Sequence, residues 1–202
     1  MRAVLNRHTA EQLVRDMFTV VTHGDPGLAV GCIHPEFVNE ESANEPPACS
    51  TPGPSGLAAT GAWLRSAYSD LHYEVREIIY DGDQAMAQAV MSGRQTGAFV
   101  VFPHGAQPVA LPPTSRAFAV THSHHVRFRD GLIVWHSAVR DDLGMMNQLG
   151  HLPPSPAVLA RMARWNLTGR ARRAVAAAQA HATRGAATIT ETQAATAGNR
   201  TT

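Results

Sequence analysis

The sequence predicts an α+β fold: a cone-shaped, curved antiparallel sheet closed on one face by N-terminal helices, with an added C-terminal helix. Three observations predict it. Apolar residues recur at helical spacing up to Tyr68, and from Leu71 to Val139 the pattern changes to strand-like alternation broken by Asp-Gly turns. A Pro153-Pro154 stop then precedes a long stretch rich in arginine and alanine. Helices followed by hairpin-connected strands bury their apolar faces by lying across one side of the sheet.

The first helix covers residues 9–22, with Leu13, Met17, Val20 and Val21 on one stripe, the signature of an amphipathic helix. A second, short helix over 26–33 opens on Pro26, whose fixed φ suits a first turn. The segment 42–56, SANEPPACSTPGPSG, is crowded with proline, glycine and serine and reads as an irregular loop long enough to rim or cover a pocket. A helix over 57–68 carries Trp63 and Leu64 inward. Residues 71–80 alternate as a strand, and Asp81-Gly82-Asp83 turns them into a second strand over 84–95. After a loop-rich excursion over 96–114, a strand from 121, an Arg-Asp-Gly turn at 129–131 and a strand over 132–139 complete at least four antiparallel strands. A capped helix then ends at Gly150. Beyond Pro153-Pro154, one helix over about 155–181 presents Val158, Leu159, Met162 and Trp165 for packing on its own body or on a partner subunit. Residues 185–202, nearly all Ala, Thr, Gly and Gln, lack the apolar content to order themselves. The expected organisation is therefore an α+β cone domain over 1–150, a helical extension over 151–184 and a disordered tail over 185–202.

Composition excludes several classes of function. With 202 residues, 44% of them apolar, and a net charge of +1, the chain is long enough for one domain with a real core. No apolar run approaches the ~18 residues of a membrane span, and the N-terminal segment has acids where a signal peptide would be apolar, so a cytoplasmic protein is expected. Cys32 and Cys49 fall in no CxxC pair and read as free thiols. Every basic residue is arginine, which removes lysine-based Schiff-base and P-loop chemistry. No GxGxxG, GxSxG or HExxH occurs. From Leu143 onward there are seven arginines and a single acid, against ten arginines and fifteen acids before it. Without interleaved aromatics this basic end reads as a solvated helix face rather than a nucleic-acid surface.

The chemistry gathers in residues 121–150, where four histidines and an acidic pair lie within thirty positions. Period-two alternation sends His122, His124, Val126 and Phe128 to one face and Ser123, His125 and Arg127 to the other. The turn brings Trp135 and His136 across from them. Histidine serves as acid or base near neutrality, so His124 and His136 are the candidate proton-transfer groups. A carboxylate in reach would raise their pKa and fix their tautomers, and Glu40, Glu41 and Asp141 are the candidates for it. His122, His124 and His136 also make up the ligand count of a three-histidine metal site, but no metal is expected. Trp63, Tyr68, Tyr73 and Trp135 can stack on an aromatic substrate or simply fill the core. Arg94 and Gln95 can hydrogen-bond a substrate carbonyl or pair at the sheet surface. His34, just before Pro35, can meet substrate or cap a helix end.

Several segments carry a family likeness: IHPEFVN at 33–39, PGPSGLAAT at 52–60, SGRQTGAF at 92–99, PPTSRAFAV at 112–120 and, most specifically, RDGLIVWHSAVRDDLGMMNQLG at 129–150. Over about residues 9–175 the sequence resembles the SnoaL-like polyketide cyclase and ester cyclase family, of nuclear-transport-factor-2-like fold. The resemblance implies a small homodimer whose conical cavity binds an aromatic or polyketide-like substrate without cofactor or metal, and closes a ring by intramolecular aldol chemistry with a His and an Asp handling the proton. The family histidine falls on His124, but the family aspartate falls on Ala138. Asp141 matches a further acidic position and equally suits a helix cap. His125, Trp135 and Ser137 stand where the family has Trp, Glu and Trp, and Glu40 where this branch commonly has His. The implied function is a cofactor-independent cyclase or isomerase of a secondary metabolite, with His124, His136 and Asp141 catalytic. His34, Asn39, Glu40, Trp63, Tyr73, Arg94, His122 and Trp135 are the substrate-binding candidates. The partners implied are a small molecule and a second subunit, with no nucleic acid or membrane. A cofactor-free hydrolase, dehydratase or hydroxylase on the same scaffold stays open, as does a binding protein without catalysis, for which the replaced aspartate is the main argument.

Overall fold

The computed structural model of the chain describes residues 5–198. Helix α1 (Arg7–His23) starts where the Asn6 side chain accepts the Thr9 amide and stops at Gly24, whose φ of 80° suits glycine. Its buried face runs through Leu13, Val14, Met17 and Phe18. Helix α2 (Pro26–Cys32) is capped by Asp25. Strand β1 (Ile33–Asn39) follows directly, so Pro35 sits in a strand at the sheet edge, where it removes no needed donor, rather than at a helix end. The expected irregular loop is partly ordered into two short 3₁₀ turns, Glu40–Asn44 and Pro47–Ser50, and its end already belongs to α3 (Pro54–Ala67).

The main sheet has the order β1-β7-β6-β3-β2, made with β2 (Tyr68–Asp81), β3 (Gln84–Gln95), β6 (Ala117–Arg129) and β7 (Leu132–Arg140). All its pairings are antiparallel except β1 with β7, which is parallel. Bulges in three of the four pairings bend the strands, and the sheet is curved and unclosed, with α1 and α3 across its concave face. The turn between β6 and β7 is built on Asp130 and Gly131, both at positive φ, as a two-residue hairpin turn requires. Residues 96–114 are not wholly irregular: β4 (Phe99–Val101) and β5 (Val109–Leu111) form a separate two-stranded ribbon. Helix α4 (Asp142–Leu149) follows β7.

The C-terminal region departs most from the sequence expectation. Instead of one helix ending near 181 there are two, α5 (Pro156–Leu167) and α6 (Arg170–Gly198), broken where Gly169 takes a φ of 67°. No residue of α5 is buried and Leu159 is 56% exposed, so the Val158, Leu159, Met162, Trp165 stripe does not hold the extension to its own body. Helix α6 does so, through Ala178, Ala182 and Ile189 against α3 and α2. The disordered tail expected from residue 185 is corrected as well, since the helix continues through Ile189, which is fully buried. Alanine has the highest helix propensity, and small side chains let two helices approach closely. A Cβ on Gly185 would lie 2.6 Å from the Ala58 carbonyl oxygen and from the Ala62 methyl. Residues 199–202 of that expected tail lie outside the described residues. Among the described residues no helix is long and apolar enough to cross a membrane.

Candidate active site

Strand β6 keeps strict parity: Phe118, Val120, His122, His124, Val126 and Phe128 are all buried. Strand β7 does not. A bulge leaves Val134 unpaired between Ile133, opposite Phe128, and Trp135, opposite Arg127, so Ile133 and His136, three apart, both face inward. From His136 onward alternation resumes, and His136, Ala138 and Arg140 line one small cavity with His124. Strand β1 delivers Asn39 beside His136 as its paired residue.

These side chains form a hydrogen-bonded chain whose proton positions can be deduced. Asn39 Oδ1 accepts the Glu41 backbone N–H at 3.2 Å, which marks that atom as the oxygen. His136 Nδ1 lies 2.9 Å from the same oxygen and must donate to it. Its Nε2 is then an acceptor, and it accepts the N–H of His124 Nδ1 at 2.9 Å. His124 is left with a bare lone pair on Nε2, an atom with no hydrogen-bond partner among the described residues. The order Asn39, His136, His124 therefore presents one unprotonated imidazole nitrogen, held in place by the edge of Phe18 at 4.8 Å between ring centroids. Burial drives the His124 pKa well below its ordinary value, helped by His136, His122 and Arg140, and burial with Arg140 pushes His136 and His122 down to about 4. Both ring nitrogens of buried His122 also lack a partner among the described residues. Buried polar atoms are seldom left so, and three of them on neighbouring rings mark a place for a polar ligand.

The site opens into a cavity of about 380 Å³ walled by Trp63, Tyr68, Tyr73, Phe99, Met145 and Met146, with Asn44, Glu45, His122, Arg140 and Asp142 among its polar groups. An adjoining space of about 50 Å³ reaches His124 and His136, and Tyr73, Leu64, Glu45 and Arg140 border both. Arg140 is held by Glu41 at 3.5 Å and Asp142 at 3.4 Å. Among the described residues no three His, Cys, Asp or Glu side chains are arranged to hold a metal ion, and His124 and His136 turn their nitrogens on one another.

The profile of the SnoaL-like polyketide cyclase family matches residues 11–149. The chain belongs to that family. A relative named nogalonic acid methyl ester cyclase, from Streptomyces nogalater, is 30% identical over 119 residues, which is 58% of this chain and 80% of the relative. TsrD from Streptomyces laurentii superposes with a TM-score of 0.58 at 31% identity, over 73% of this chain and 99% of that one. IdmH from Streptomyces antibioticus gives 0.52 at 24% identity, over 69% and 97%, a likeness of fold. Membership supports an enzyme of the cyclase or isomerase kind acting on a polyketide-type small molecule.

Within this SnoaL-like frame the residues singled out from sequence divide in two. His122, His124, His136, Asn39, Trp63 and Tyr73 are brought together at the two cavities, though Asn39 is spent on His136 rather than offered to substrate, and Trp63 donates to the Val100 carbonyl at 3.1 Å. The others lie elsewhere. Asp141 is exposed and caps α4, accepting the Gly144 amide at 2.8 Å. Trp135 lies on the outer side of the sheet, donating to Glu40 at 3.0 Å and packed against His125 and Arg127. Arg94 is exposed and bonds the Ser115 carbonyl, while His34 at the sheet edge accepts the Glu36 amide. Among the described residues no carboxylate hydrogen-bonds to His122, His124 or His136. An amide fixes the tautomers instead, and the histidine pKa values fall rather than rise. Glu41 is the one expected carboxylate at the cavity, where it accepts the Ala138 backbone N–H at 2.9 Å. Sequence reasoning missed Arg140, which parity from His136 would have found, and Glu45, for which no sequence signal existed.

Proposed function

We propose that the protein is a cofactor-independent cyclase of a polyketide-like metabolite, with His124 Nε2 as general base. The observation that carries this reading is the Asn39, His136, His124 chain, which leaves that nitrogen unprotonated and unpartnered beside the cavity. In this reaction Nε2 takes a carbon-bound proton next to a substrate carbonyl. The enolate carbon attacks a second carbonyl of the same molecule, a carbon–carbon bond closes the ring, and the new alkoxide is protonated. A histidine kept neutral by burial is a weak base, so the enolate needs stabilising elsewhere. Arg140, bordering both cavities, places a positive charge where the enolate oxygen develops. Trp63 and Tyr73 provide aromatic walls, and neutral His122 offers one N–H to a substrate oxygen and one lone pair to a substrate hydroxyl. Asn39 and His136 act by positioning His124.

The relative's name supplies a test compound, nogalonic acid methyl ester. The expected outcome is conversion to an isomer of unchanged mass, followed by liquid chromatography and mass spectrometry, with His124→Ala ~10²- to 10⁴-fold slower. Binding without any conversion by the parent protein would instead support a binding role. The half-exposed apolar stripe of α5 supports a homodimer, and a monomeric mass by light scattering at micromolar concentration would contradict it.

A further inference from the structure

Glu45 is a carboxyl side chain only 6% exposed, in the link between the two 3₁₀ turns, and it borders both the main cavity and the space at His124. Among the described residues no ion pair reaches it; its Oε2 accepts the Thr60 hydroxyl at 2.5 Å. A buried carboxylate without a cation in contact is costly, so the group is held as the neutral acid. Burial raises its pKa, Glu41 adds to the rise, and Thr60, Arg140 and Cys49 oppose it without prevailing. A neutral carboxyl beside a reaction space has one thing to give that nothing else there supplies as readily, a proton. The other titratable groups lining these cavities are Tyr68, Tyr73, His122, His124, His136 and Asp142, and of these the two tyrosines are pushed further from ionising by their own burial.

Taking the cavity as the place of proton-transfer chemistry, we propose that Glu45 is the proton donor of the site, complementary to the base at His124. The balance closes within the enzyme. As His124 Nε2 takes the carbon-bound proton, the carbon–hydrogen pair becomes the nucleophile. The new carbon–carbon bond pushes the acceptor carbonyl's π pair onto oxygen, and the Glu45 O–H proton goes to that oxygen. His124 as imidazolium and Glu45 as carboxylate are then one proton transfer from their starting states, and exchange through solvent after product leaves restores both. A weak base is adequate here because the acid is matched to it, each offsetting charge that the other creates.

The requirement for a protonated Glu45 and a neutral His124 gives a bell-shaped pH–rate profile with the alkaline limb belonging to Glu45. The test measures that profile on nogalonic acid methyl ester for the parent, Glu45→Gln, Thr60→Val and His124→Ala, with circular dichroism and melting curves confirming folding. Glu45→Gln keeps shape and hydrogen bonding but cannot give up a proton, and is expected ~10²- to 10⁴-fold slower with its alkaline limb abolished. Thr60→Val removes the hydrogen bond that favours the carboxylate and should move the limb to higher pH. If Glu45→Gln turns over at the parental rate with its limb intact while His124→Ala is dead, the donor assignment alone falls; if His124→Ala is parental, or the parent shows no turnover, the cyclase reading falls. A second arm needs no turnover: carboxyl ¹³C NMR of the parent, with Glu45→Gln supplying the assignment, should show the Glu45 side chain protonated at neutral pH. A carboxylate there would overturn the donor assignment.

Discussion

At the scale of single residues, what could be read in the sequence was whatever depends on strand parity and local chemistry. His122 and His124 face inward because β6 alternates without a fault, and His125 faces outward to Gln84 at 3.0 Å and Trp135. The contrast gives a prediction: His125→Ala should keep close to parental turnover where His124→Ala loses ~10²- to 10⁴-fold, measured side by side on the same compound. Equal losses would mean that the hairpin face has been misassigned. Parity failed on β7, where the bulge at Val134 is invisible in a pattern of period two. Glu45 failed for a different reason. It sits in a run of Pro, Ala, Ser and Asn with no period at all, and only its tertiary placement over the cavity, against Thr60, makes it chemically distinct. Asp141 was expected as a helix cap or as a cap with a catalytic role, and the cap is the part that its position alone made legible.

At the scale of elements, hairpins were legible because turns announce them: the Asp-Gly pairs at 81–82 and 130–131 both end strands as expected. Strand β1 was not, since IHPEFVN contains a proline and has no partner until it meets β7 across the whole domain. The end of α6 was illegible because a composition of Ala, Thr, Gly and Gln serves equally for a disordered tail and for a helix that packs through small side chains. Which of the two occurs depends on α3 presenting Ala58 and Ala62 opposite Gly185. Gly185→Leu should accordingly cost about 1–3 kcal/mol by overpacking, read as a lower midpoint in urea denaturation with α6 loosened in hydrogen exchange. An unchanged midpoint would show that the two helices do not approach as closely as described.

At the scale of the whole molecule, the switch from helical to strand periodicity was enough for the fold class, and the 129–150 motif for the family, because both are spread over many residues. The site is a different kind of property. It arises where the end of β1, the bulge of β7, strict alternation in β6 and the ordered 42–56 segment converge, and no one of these specifies it alone. This convergence sets a tautomer: Asn39 fixes His136, and His136 fixes His124, leaving Nε2 as the reactive atom. The most direct measurement is ¹⁵N NMR of the histidine ring nitrogens in the full chain across a titration from neutral pH downward. With pKa values lowered from 6.5 by burial, both rings should remain neutral at pH 6, with the proton on Nδ1 in each and Nε2 of His124 showing the shift of an unprotonated nitrogen. A proton on His124 Nε2, or an imidazolium at pH 6, would contradict the account.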